Sequence, residues 1–122
     1  MQKYRVTCTN YVFEDSYHHF DSGEEMCYDT SEEFSAEGPI DAVRQFYNVH
    51  VSKPFDPKEV DEVFDGMIHD SELQNSFGEI ASAEEIKRWE AGEINLYRRQ
   101  LTVMVELVEY HMVDLEEALK NS

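Results

Sequence analysis

Residues 6–43 contain no Lys or Arg, yet they carry ten acids: Glu14, Asp15, Asp21, Glu24, Glu25, Asp29, Glu32, Glu33, Glu37 and Asp41. An acidic run of that length is usually a solvated tail, poor in aromatic and β-branched residues. Here Val6, Thr7, Tyr11, Val12, Phe13, Tyr28, Thr30 and Phe34 are threaded between the acids. The stretch must therefore fold while holding a one-signed surface, and that limits what the rest of the chain can do.

Alternation is the first sign of how it folds. In residues 4–13, Tyr4, Val6, Cys8 and Asn10 fall on one side and Arg5, Thr7, Thr9 and Tyr11 on the other, which predicts a strand. Asp21-Ser22-Gly23 has turn composition. Residues 26–36 then return as a second strand, with Cys27 and Asp29 on one face and Tyr28 and Thr30 on the other. The pair reads as an N-terminal β-hairpin with acids crowded toward its 14–33 end.

Gly38-Pro39 stops the hairpin, and Pro suits the first turn of a helix. Ile40, Val43, Phe46, Tyr47 and His50 recur at helical spacing, predicting a helix over 39–50. Asp56-Pro57 predicts a short helix over 57–64, closed by Asp65-Gly66. Residues 67–80 read as a short strand or irregular chain. Ser82 and Glu85 match a capping box for a helix over 83–91 that ends at Gly92. Residues 94–113 fit both periods, but the β-branched load favours a strand over 94–110. A hairpin alone is marginal and needs a third strand, which this segment would supply. Asp114 then caps a helix over 114–120, with Glu117 at the capping-box position. The sum is one α+β domain, 1–122: a small antiparallel sheet, made of the hairpin and a late strand, packed with three to four short helices.

Charge narrows the partners. The chain has 27 acids against 10 bases, a net charge of −17 over 122 residues. Nucleic acid and anionic membrane both demand Lys/Arg footprints, so neither is expected as a direct ligand. No leader-like segment and no membrane-length apolar run is read in the sequence, and two cysteines make no disulfide framework. The expectation is a cytoplasmic protein with Cys8 and Cys27 reduced and buried in strands.

No motif for chemistry stands out. Zinc patterns need paired ligands at short spacing, whereas His18 and His19 are adjacent and would point to opposite faces of a strand. Residues 56–70 are Asp-rich without the order of a calcium loop. Cys27 with His18 or His19 could form a nucleophile pair, but Glu24, Glu25 and Asp29 would keep the thiol protonated. Close carboxylate pairs are inevitable among 27 acids and identify no acid–base couple. The aromatics Tyr11, Phe13, Tyr17, Phe20, Tyr28 and Phe34 lack the positive groove that base stacking requires. The expectation is a protein that is not an enzyme and takes no metal or other cofactor.

What remains is recognition by charge. Same-face carboxylates two residues apart on a strand lie about 7 Å apart, close to twice the roughly 3.4 Å rise per nucleotide of a DNA strand. Glu14, Asp15, Asp21, Glu24, Glu25, Asp29, Glu32 and Glu33 could present such a lattice, with Tyr17, Phe20 and Tyr28 as aromatic anchors. In size and acidity the chain resembles the nucleic-acid-mimicking inhibitors of bacteriophages, among them anti-restriction and anti-CRISPR proteins. That resemblance rests on no aligned motif and assigns no residue. It implies a partner protein with a basic nucleic-acid-binding surface, met in an infected host cell. The other reading is a self-associating structural or adaptor protein, a symmetric homodimer through residues 94–113 or an exposed sheet edge, whose acids serve solubility.

Overall fold

A computed structural model describes residues 1–19, 23, 25–109 and 111–121. The elements are β1 (Gln2–Asp15), β2 (Glu25–Ala36), α1 (Pro39–His50), β3 (Glu62–Phe64), β4 (Met67–Gln74), α2 (Ala83–Glu90), β5 (Leu96–Leu107), β6 (His111–Val113) and α3 (Leu115–Lys120). All strands among the described residues join one antiparallel sheet, whose main path has the order β2-β1-β5-β4-β3. β6 pairs with β5 at Val105–Leu107, beyond the reach of β4.

This corrects the expected fold. The sheet is not a small hairpin assisted by helices; six strands dominate, and the three helices described are short accessories. The helix expected over 57–64 is absent. Asp56 does accept the Lys58 N–H at 2.9 Å, but the turn it caps does not continue. Instead β3 and β4 form a hairpin closed by Asp65 and Gly66, with Phe64 paired to Met67. Both turn residues have positive φ, 54° and 74°, as a two-residue type I′ turn demands. Asp-Gly is a favoured pair for that turn, so the signal was present in the sequence. β4 was obscured because Asp70 and Glu72 sit on its buried face, where apolar residues would be expected.

Elsewhere local chemistry sets the elements as expected. α1 begins on Pro39. Ser82 Oγ accepts the Glu85 N–H at 3.1 Å while Glu85 accepts the Ser82 N–H at 2.9 Å, completing the capping box of α2. The Ser82 N–H also holds the Glu85 carboxyl below its usual carboxylate range. Asp114 accepts from Glu116 and Glu117 N–H at the start of α3. In the ambiguous 94–113 stretch, β5 is the central strand, with β1 on one side and β4 and β6 on the other.

The continuous register of β1 against β5 sorts side chains onto two faces. On one, Tyr4, Val6, Cys8, Phe34, Ala36, Ile68, Leu101, Val103 and Val105 pack beneath Ile40, Val43, Phe46 and Tyr47 of α1, and Leu115 of α3 completes this core. On the other face Trp89 of α2 covers Leu96 at one end. The middle of that second face, including Thr7, Thr9, Thr102 and Met104, is only half-buried.

Candidate partner-binding surface

β2 pairs with β1 on one side and ends the sheet on the other. α1 covers only its last part, where Phe34 and Ala36 are buried. Earlier, the usual in–out alternation disappears: Glu25, Met26, Cys27, Tyr28 and Asp29 are all exposed. The β1–β2 register places Glu25, Cys27, Asp29, Ser31 and Glu33 in one row on the face away from α1. Met26, Tyr28, Thr30 and Glu32 lie in the row on the α1 face, with Met26 58% and Tyr28 40% exposed.

The structure separates the sequence candidates. Glu25, Asp29 and Glu33 share the outer row, each four residues from the next, or roughly 13 Å along the strand. The expected 7 Å lattice is therefore not formed within this row, because neutral Cys27 and Ser31 intervene. Glu33 is tied to Arg5 at 2.8 Å. Glu32, on the opposite face, meets His50 Nε2 at 3.0 Å. Glu25 and Asp29 have no ion pair among the described residues.

Asp15 is a clear correction. It is 1% exposed, accepts Arg98 Nε at 2.8 Å, and its backbone carbonyl takes the Trp89 indole N–H at 2.8 Å. It pins α2 to the sheet and offers nothing to a partner. Glu14 accepts from Asn95 Nδ2 at 2.7 Å and fills the space beside Gly23, where an added Cβ would collide with its side chain. Tyr17 remains 51% exposed and packs edge-on against Trp89 at 4.9 Å. Phe20, Asp21, Ser22 and Glu24 lie outside the described residues. Cys8 is buried as expected, but Cys27 is exposed on the sheet edge, and both thiols are free.

The acids are also less segregated than the sequence suggests. Exposed Glu59, Asp61, Glu62 and Asp65 line the opposite end of the sheet, with Asp114, Glu116 and Glu117 on or beside α3. Residues 25–29 differ from those acids in lying on a strand exposed on both faces, not in holding most of the charge.

Sequence reasoning missed a buried polar network beneath the C-terminal end of α1. Arg99, on the same face of β5 as Leu101 and Val103, donates to Asn10 Oδ1 at 2.6 Å, to Glu72 Oε1 at 3.3 Å and to the His50 carbonyl at 3.0 Å. Its charge thus meets the negative end of α1. Beside it, Asp70 accepts the Tyr47 hydroxyl at 2.8 Å and Lys53 Nζ at 2.9 Å. Two acids and two bases balance locally, and Gln74 gives Glu72 a further bond. Burial, reinforced by the Asp70 carboxylate, drives the Tyr47 hydroxyl pKa far upward. Burial likewise pushes the Cys8 thiol up to about 11, although Arg99 pulls the other way. The signal for this network was charged residues at alternating positions in two strands, which is hard to distinguish from a solvated face.

Among the described residues, no three His, Cys, Asp or Glu side chains converge as metal ligands. No described helix is long and apolar enough to cross a membrane. No protein-family model, curated protein or solved structure matches this chain. The surface of the first hairpin must therefore be read from its own chemistry.

Proposed function

We propose that this protein is an acidic binding module, a phage-type inhibitor of the anti-CRISPR or anti-restriction kind, which engages the basic nucleic-acid-binding surface of another protein. One observation carries the reading: Glu25–Asp29 are all exposed inside a hydrogen-bonded strand. A strand with both faces uncovered is accessible from either side, and this one offers carboxylates on one side and Met26 and Tyr28 on the other. Aromatic and Met anchors beside charge are the composition of an interface core and its rim. The chain's charge of −17 adds attraction toward a basic groove and speeds encounter.

The partner protein is held through Glu25, Asp29 and Glu33, supported by Tyr28 and Tyr17. Because β5 is paired on both sides, it has no free edge for a second copy, and β6, which pairs with β5 alone among the described residues, is only three residues long. The test is capture from nuclease-treated bacterial lysate at low and high salt. A basic nucleic-acid-binding protein should be retained at low salt and released at high salt. Retention of no such protein, or retention that ignores salt, would end the reading.

A further inference from the structure

The backbone of β2 specifies how a partner would be held. The Val108 N–H donates to the Lys3 carbonyl at 3.1 Å, so odd-numbered residues of β1 turn their backbone groups toward β5. Even-numbered residues of β1 then face β2 and bond its even-numbered residues, such as Tyr4 with Phe34 and Cys8 with Thr30. The N–H and C=O groups of Glu25, Cys27, Asp29, Ser31 and Glu33 consequently point away from the sheet. Ser35 supports this independently, since its carbonyl accepts Gln45 Nε2 from α1 at 3.0 Å. Beyond Ser35, the outward groups of this edge have no partner among the described residues.

The opposite edge is treated differently. There the Ser71 carbonyl takes Lys53 Nζ and the Leu73 carbonyl takes the Ala81 N–H, both at 2.9 Å. The rest of β4 is covered by β3, only three residues long. Proteins blunt edges in these ways because an open edge is a template for another strand. β2 is left open, and its outward-facing residues are the ones whose side chains make the acidic row. An antiparallel pairing of two copies centred on Asp29 would set Asp29 against Asp29 and Glu25 against Glu33, and a net charge of −17 on each copy opposes the other registers, so a basic strand suits this edge better than a second copy.

We infer that the open edge of β2 accepts an extended basic segment of the partner protein as an added antiparallel strand, its Lys or Arg side chains opposite Glu25, Asp29 and Glu33. This rests on the binding reading above and adds its geometry: backbone bonds supply register, and the carboxylates select a basic strand over a neutral or acidic one.

The probe is a nine-residue peptide of alternating Val and Thr with Lys at the first, fifth and ninth positions. Its control is the same peptide N-methylated at the third, fifth and seventh positions, which keeps every charge but removes the donors that face β2. Titration at low salt should slow amide exchange at Cys27, Asp29 and Ser31 by about tenfold or more. The N-methylated peptide should bind about tenfold more weakly. Equal binding of the two peptides, no binding of the Lys peptide, or protection elsewhere would overturn the added strand. The lysate capture tests the binding reading separately: retention of a basic protein alongside equal peptide binding would leave that reading standing and remove only the strand geometry.

Discussion

At the residue scale, buried titratable groups give the sharpest tests. Burial raises the Cys8 thiol from its ordinary 9.0 to about 11. The folded chain thus holds that proton more tightly than the unfolded chain, so stability is full below pH 9 and is lost as pH rises through about 11. Between pH 9 and 10, denaturant titration should show wild type losing up to about 1.4 kcal/mol per pH unit more than Cys8→Val. Tyr47 adds a loss of the same sign at higher pH, shared by both proteins. Arg99 is a second case. Arg99→Met strands Glu72 in the core, and urea unfolding should show a loss of about 3–5 kcal/mol, most of it recovered in Arg99→Met/Glu72→Leu. Neither group was legible beforehand as part of a network. The alternation around Cys8 predicts its burial in a strand, but nothing in the sequence marks Asp15 as an acid that meets Arg98 inside.

Elements that announce themselves locally were readable: the N-terminal hairpin, α1 behind Gly38-Pro39, the capping box of α2 and the Asp114 cap of α3. Each depends on a few adjacent residues. β3 is hidden under the helix expected over 57–64, and β4 is only one of two readings of 67–80, because Asp70 and Glu72 on its buried face hide the alternation and its pairing comes from β5, distant in sequence. The sheet is for this reason larger than the local signals imply. The Asp65-Gly66 turn can be checked directly. Gly66→Val should cost about 1–2 kcal/mol in thermal or urea unfolding, since its φ of 74° suits few residues with a Cβ. β2 provides a paired test of edge orientation. Thr30→Pro removes a donor to β1 and should destabilise by about 1–3 kcal/mol, whereas Ser31→Pro should cost less than half as much.

For the whole molecule, a net charge of −17 means self-repulsion that salt relieves. Melting temperature should rise with added sodium chloride even as partner binding weakens, opposite trends from the same screening. What separates recognition from mere acidity is location. The direct measurement compares the affinity of the captured basic protein for wild type, for Glu25→Lys/Asp29→Lys/Glu33→Lys, and for Glu59→Lys/Asp61→Lys/Glu62→Lys, by calorimetry at one salt concentration. Both triple variants change net charge equally and alter only exposed residues. Reversal on β2 should weaken binding by about 100-fold or more, while reversal at the far edge should change it by less than about threefold. Equal losses in the two variants would contradict the assignment of the partner surface to the β1–β2 hairpin.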